Sequence, residues 1–486
     1  MQIRSRLRQG VSLLPMAGLL GLIVSCGGGQ SVSAPTQPPA STQVSISVSA
    51  APWGKSTQYI GANEGDQYFN VADLKDLGIN TYRIYGSVAR WEPQPDSGTV
   101  GLPTQAQIKA NPDAINWTVW DNAMTNPAGG SDYGSSGDSG VWQGSAKAIF
   151  QTLQQNGIRP VVVLRPVSPG GAPSWANRAM NPPSTAEGQN AWWEHVFALV
   201  YWLNVRNNYM VDDWEIENEP DNPSQGWNGT LSDYESFAGL TADAVRYVYS
   251  NYLPGRTPHI YGPVTTGGST WPLSLMQQNP GSFDSVDIHD YDANIGSYVS
   301  TVHGWMDANG FSGAPLWVSE WSTYTAGQYR DASFGVSNII ANLITGSQPG
   351  STYVFGSHIF SLYDWGSGAY GLIGPGDTPR SGYYALRMAI RGLQGGRTTY
   401  QTTCTNSSLL AITTKDSSGH YWVLIANTSA ASISASLNLS ELIASGTGTM
   451  WQFDATHNDI VVGNPVLAAG SVNLTIGGNS AVLLEY

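Results

Sequence analysis

Between Tyr59 and Arg391 the chain repeats one pattern: a short β-branched or aromatic run, a loop, then a segment with helical spacing of its apolar residues. Eight such runs stand out: Tyr59 to Ala62, Thr81 to Tyr85, Pro160 to Leu164, Asp212 to Ile216, His259 to Pro263, Val286 to His289, Leu316 to Ser319 and Gly356 to Leu362. Strands that alternate with helices are the signature of βα units, and eight of them predict an α/β fold, a (β/α)8 TIM barrel, with a doubly wound open sheet as the alternative. Gly78 closes a helix over Val71 to Leu77, and Ser232-Asp-Tyr-Glu235 reads as a capping box ahead of a helix from Phe237 to Tyr249. After Gly396 the texture changes to short alternating strands, such as Tyr421 to Ala426 and Ser471 to Ile476, set between Ser/Gly/Asn turns. The expected organisation is a barrel over 46–395 followed by a β-sandwich domain over 396–486.

The first residues read differently. Arg4, Arg6 and Arg8 precede an uncharged apolar stretch from Val11 to Val24, the basic-then-apolar order of an export signal and shorter than a bilayer-spanning helix. It ends in Ile23-Val24-Ser25-Cys26, which resembles a bacterial lipoprotein box, so 1–26 is expected to be a signal peptide and Cys26 a lipidation site. The plain alternative is an ordinary signal with an incidental cysteine. Residues 27–45 are rich in Gly, Ser, Pro and Thr and read as a flexible linker. On this reading the protein is exported, a cell-surface or membrane-anchored lipoprotein or otherwise secreted, and meets a membrane only through the anchor at Cys26.

Composition removes several function classes. With 35 Asp+Glu against 21 Lys+Arg the formal charge is −14, and no basic stripe exists to neutralise a phosphate backbone, so nucleic acid is not an expected partner. Cys26 and Cys404 are the only cysteines, too few for a disulfide framework or a Cys-rich zinc module. No His-Glu-x-x-His motif or phosphate-cradling glycine loop occurs, and Ser131 to Gly140 lacks EF-hand spacing. No metal and no cofactor are expected.

The strongest chemical signal is Asp213-Trp-Glu-Ile-Glu-Asn-Glu-Pro220, a strand running directly into Asn218-Glu219-Pro220. In a barrel this brings Asn218 and Glu219 to the carboxyl-terminal mouth. Glu320 ends another apolar strand, Leu316-Trp-Val-Ser319, three strands further round, so both carboxylates face one cavity. Two carboxyl groups across a sugar-sized gap hydrolyse a glycosidic bond: one protonates the departing oxygen and the other attacks the anomeric carbon. Glu217, two residues before Glu219, is read as a residue of a lower barrel layer.

With these residues the chain resembles a clan A retaining glycoside hydrolase. It is most similar to family 39, with families 5, 30, 44 and 51 as relatives, over Gln58 to Tyr486. The resemblance implies that Glu219 is the acid/base, that Glu320 is the nucleophile, and that Asn218 grips the sugar 2-hydroxyl. It further implies that Arg83 hydrogen-bonds the nucleophile, that His289-Asp290-Tyr291 brings a tyrosine hydroxyl to it, and that Trp365 floors the sugar subsite. Leu164-Arg165-Pro166 departs from the family pattern, which often presents a histidine or an aromatic there. Trp175, Trp227, Trp271 and Trp321 are candidate subsite aromatics. The implied partner is a β-linked polysaccharide or oligosaccharide. A non-catalytic surface glycan-binding lipoprotein and a transglycosylase using the same two glutamates stay open.

Overall fold

A run such as Pro160-Val-Val-Val-Leu164 has no polar face to turn to water, so it is stable only where both sides of its strand are covered. The computed structural model supplies that cover. It describes residues 43–64, 70–93, 103–125, 145–166, 181–291, 295–323, 325, 327–364 and 369–486. The strand β1 (Val44–Lys55) is followed by β2 (Tyr59–Asn63), β3 (Thr81–Ser87), β4 (Arg159–Arg165), β5 (Asp213–Ile216), β6 (His259–Thr265), β7 (Ser285–Tyr291), β8 (Leu316–Ser322) and β9 (Gly356–Ile359). Strands β2 to β9 pair in sequence order, all parallel, and β9 closes on β2. The fold is therefore a closed (β/α)8 barrel, not an open doubly wound sheet. Each of the eight runs marked in the sequence forms a barrel strand, the last ending at Ile359 and not at Leu362.

The helices obey their end signals with one shift. Asn70 caps the Val71–Leu77 helix and Gly78 leaves it with φ +81°, the left-handed conformation that costs glycine least. The capping box of the long helix is Thr230 with Asp233, not Ser232 with Glu235, so Leu231–Tyr252 begins six residues before Phe237. Both tetrads fit the pattern; Thr230 wins because its hydroxyl and the Asp233 carboxylate satisfy each other's backbone N–H.

The barrel interior is layered. At the amino-terminal end Val161, Tyr261 and Trp317 pack with Tyr59 and Phe355, and the Tyr59 ring stacks on Trp317 at 5.6 Å. Above this apolar plug comes a polar storey containing Arg83, Glu215, Asp287 and His358, all fully buried. The mouth lies above that.

The second domain is a nine-stranded sheet in which β1 is an interior strand, third from one edge. That strand pairs antiparallel with Thr398–Cys404 on one side and parallel with Ile433–Asn438 on the other. The boundary drawn at residue 46 is thus crossed: Val44–Lys55 belongs to the β-domain, and the barrel begins with β2. The physical reason is the alternation of Ile46 and Val48 with Ser45 and Ser47, which gives β1 one apolar face. That face joins Val423, Ile425, Leu437 and Val482 in a core of the domain's own. The opposite sheet face, with Trp422, Leu424 and Leu483, packs into the main core alongside the amphipathic helix Ser381–Leu393. Two arginines of that helix, Arg387 and Arg391, grip the buried Asp459 carboxylate at 2.9 and 2.6 Å. Among the described residues no helix is long and apolar enough to cross a membrane.

Candidate active site

The carboxyl end of β5 is where the backbone leaves regular geometry. Glu217 and Glu219 adopt φ +65° and +47°, a region that non-glycine residues enter at a cost and that concentrates at functional sites. The turn is held by neighbouring strands: the Glu217 N–H donates to the Leu164 carbonyl at 3.0 Å and the Glu219 N–H to the Val264 carbonyl at 2.8 Å. This sends Glu217 sideways to Arg165, whose Nε donates to its Oε1 at 2.7 Å, and sends Glu219 over the mouth. Glu217 therefore lies beyond the end of its strand and not in a lower barrel layer. Glu215, inside β5, holds that lower place. The departure at Leu164-Arg165-Pro166 acquires a local reason as well, since Arg165 neutralises Glu217.

Glu320 sits inside β8 across the mouth. Its Oε1 accepts from Arg83 Nη1 at 2.6 Å and from the Tyr85 hydroxyl at 3.0 Å, and its Oε2 accepts from the Tyr291 hydroxyl at 2.7 Å. Burial alone would raise this carboxyl; His289, Arg83 and the two tyrosine hydroxyls outweigh it and hold Glu320 below the ordinary glutamate range. Tyr85 and Tyr291 are pushed well above the ordinary phenol range by burial and by the Glu320 charge, so both remain neutral donors.

Glu219 has a different environment. Its Oε1 meets His289 Nδ1 at 2.9 Å, and its Oε2 accepts from Asn222 Nδ2 at 2.8 Å. His289 is fully buried, and the same Nδ1 lies 3.6 Å from Glu320 Oε2. One ligating atom from each of Glu219, His289 and Glu320 lies within 4.8 Å of the other two. That set offers three donors to a cation, but it fits a cation poorly: the one histidine nitrogen facing the gap is already between the two carboxylates, and Arg83 supplies the positive charge at Glu320.

Arg83 is the hub of the arrangement. Besides Glu320 it donates through Nε to Glu215 at 2.6 Å, through Nη1 to Asn63 Oδ1 at 2.8 Å, and through Nη2 to Asn218 Oδ1 at 2.9 Å. Because the Asn218 carbonyl oxygen faces Arg83 and Tyr85, its amide nitrogen is the group left to meet a ligand.

The structure thus brings together Glu219, Glu320, Asn218, Arg83, His289 and Tyr291 in one cluster. It does not bring Trp227 or Trp321 to the cavity as stacking surfaces. Trp227 is fully buried against Tyr234 and Phe237. Trp321 follows Glu320 on an alternating strand and so faces the other way, where with Phe334, Asn338 and Asn342 it lines a separate cavity of about 410 Å³. Trp271 is half-buried against Tyr234. Trp175, Trp365 and Cys26 lie outside the described residues. Three residues that the sequence did not single out belong to the cluster, Tyr85, Asn63 and Asn222, and a fourth, Glu215, lies beneath it against Arg83. Tyr85 was within reach of the alternation rule, since it stands two residues after Arg83 on the same strand face.

No protein-family model matches the chain, and no curated protein matches it by sequence. Solved structures do share its fold. A glucosidase from Croceicoccus marinus superposes with a TM-score of 0.65 at 14% identity, over 91% of this chain and 98% of that one. A GH39 enzyme from Xanthomonas axonopodis pv. citri gives 0.61 at 15% identity, over 92% and 99%. A glycoside hydrolase family 30 subfamily 8 xylanase from Clostridium acetobutylicum gives 0.62 at 12% identity, over 91% and 99%.

Proposed function

We propose that this chain is a retaining β-glycoside hydrolase that cleaves a β-linked polysaccharide or oligosaccharide by double displacement. The observation that carries the reading is the pair Glu219 and Glu320, with oxygens within 4.8 Å across one mouth and only Glu320 gripped by a guanidinium and two phenols. Carboxyl groups about 5 to 5.5 Å apart suit a covalent intermediate, whereas about 6.5 to 9.5 Å is needed to seat a water for inversion.

The roles follow from the environments. Glu320, held ionised, attacks the anomeric carbon while Glu219 gives its proton to the glycosidic oxygen, which leaves with the aglycone. The product of this step is a glycosyl ester on Glu320. Glu219, now a carboxylate, takes a proton from water as the water oxygen attacks the same carbon and the Glu320 carboxylate departs. Arg83, Tyr85 and Tyr291 stabilise the carboxylate on both sides of the ester, and the Asn218 amide nitrogen is oriented to donate to a sugar hydroxyl. The glycoside hydrolases that share this fold support the substrate class. We also propose that the chain is exported and tethered through Cys26, on the order of basic residues, apolar stretch and lipoprotein-type box.

Proton NMR of the reducing end during the first turnovers on a β-linked glycan tests the mechanism. The β-anomer should appear first and mutarotate later. Initial appearance of the α-anomer would replace this mechanism with an inverting one.

A further inference from the structure

Directly below the mouth lies a second pair of carboxyl groups that the proposed reaction does not use. Glu215 on β5 and Asp287 on β7 are both fully buried. Glu215 Oε2 accepts from Arg83 Nε at 2.6 Å, and Asp287 Oδ1 accepts from the backbone N–H of Ser319, the residue before Glu320, at 3.2 Å. Their other oxygens, Glu215 Oε1 and Asp287 Oδ2, receive no N–H or hydroxyl donor among the described residues. Both side chains stand in the same fully buried storey beside Arg83, so the group at hand for either open oxygen is the opposite carboxyl. Two carboxylates are acceptors only, so a hydrogen bond between them requires that one carry a proton.

The charges around the pair set the same requirement. Arg83 on β3 and Glu320 on β8 are the neighbouring ions; Tyr234, from the helix Leu231–Tyr252, is a neutral phenol pushed well up by burial. His358 on β9 is held neutral by burial and by the Arg83 guanidinium. If Glu215, Asp287 and Glu320 were all ionised, three buried carboxylates would compete for one guanidinium.

We propose that Glu215 and Asp287 share a single proton in the working protein, and that this pair is a positioning device which fixes Arg83 from below and leaves its Nη groups to Glu320 and Asn218. Burial pushes both carboxyls above their ordinary ranges, in keeping with a retained proton. The functional consequence rests on the reading of Glu320 as nucleophile. Removing the proton at alkaline pH places a second negative charge under Arg83, weakens its hold on Glu320, and lowers activity although no group touching substrate has titrated.

Infrared difference spectroscopy tests the proton without turnover, so its outcome stands even if no glycoside is cleaved. The parent protein at neutral pH should show the C=O stretch of a protonated carboxyl that Glu215→Gln and Asp287→Asn each remove and that Glu219→Gln and Asp290→Asn leave in place. Kinetics then test the positioning role. In Glu215→Gln the amide accepts from Arg83 and donates to Asp287 in place of the proton, so kcat should stay within about fivefold of the parent. Its alkaline limb should move to higher pH. Glu215→Leu, which leaves Arg83 Nε without an acceptor, should lower kcat about 100-fold with little change in KM. A parent spectrum with no band that depends on both Glu215 and Asp287 overturns the proposal. So does a folded Glu215→Gln as impaired as Glu215→Leu, or one whose alkaline limb has not moved.

Discussion

Glu219 and Glu320 differ in what touches them, and the difference predicts which variant can be rescued and how. Glu320→Ala should abolish turnover, because no glycosyl ester can form. Glu219→Ala should fall about 100- to 10,000-fold on natural substrates but retain the first step on aryl glycosides whose leaving groups need no proton. Azide, which attacks without a base, should accelerate that variant and yield a β-glycosyl azide; an α-azide from Glu219→Ala would reverse the two roles. Asp290, between the two site residues of β7, carries a separate prediction. It is buried, its Oδ2 has no partner among the described residues, and desolvation pushes the carboxyl up to about 7. A carboxyl raised on folding contributes stability that is full below the unfolded value of about 4. That contribution is lost as pH rises through about 7. Asp290→Asn should therefore raise the melting temperature in alkaline buffer, by the equivalent of about 2–4 kcal/mol, and leave it unchanged in acid. An equal shift at both extremes would mean that the carboxyl does not titrate there. The residues legible in the sequence were those at strand ends, where a polar side chain after an apolar run has nowhere to go but the mouth. Glu215 and Asp287 were not legible as a pair, because their meeting depends on the stagger between β5 and β7, which one-dimensional spacing does not contain. The tryptophans misled for a related reason: alternation places Trp321 opposite Glu320, and Trp227 sits in a loop with no period to orient it.

At the scale of elements, the barrel was readable because each strand is a continuous apolar run covered on both faces, a pattern that survives without knowing its neighbours. β1 was not, since a Ser/Val alternation following a linker-like stretch declares an apolar face but not the partner that covers it. Its position predicts an asymmetric response to shortening. A chain beginning at residue 43 retains all nine strands of the second sheet. A chain beginning at residue 56 loses an interior strand, exposes the cavity left by Ile46 and Val48, and frees the facing edges of Thr398–Cys404 and Ile433–Asn438. Loss of the two apolar side chains alone costs about 3–5 kcal/mol, and the opened edges invite aggregation. Thermal unfolding of the two chains checks this; equal midpoints would show that β1 is dispensable. The cost should spread to the barrel, because Trp422, Leu424 and Leu483 of the same sheet are part of the barrel's main core.

For the whole molecule, the proposed tether and the proposed chemistry should be separable. Cys26→Ser should release the protein from the cell envelope while the soluble body keeps its specific activity, as followed by fractionation and a glycan assay. A mature protein without acyl mass on Cys26 would remove the anchor from the account. The sheet order has a mechanical corollary. A pull transmitted through the chain at residue 43 enters along the axis of β1, which is bonded on both flanks to strands lying along the same line. Load applied parallel to two hydrogen-bond ladders strains their rungs together instead of peeling them one at a time. Force on the amino-terminal segment therefore meets both ladders in shear before it reaches residues 56–58, where the chain passes into the barrel, so β1 acts as a shear clamp at the entry to the folded body.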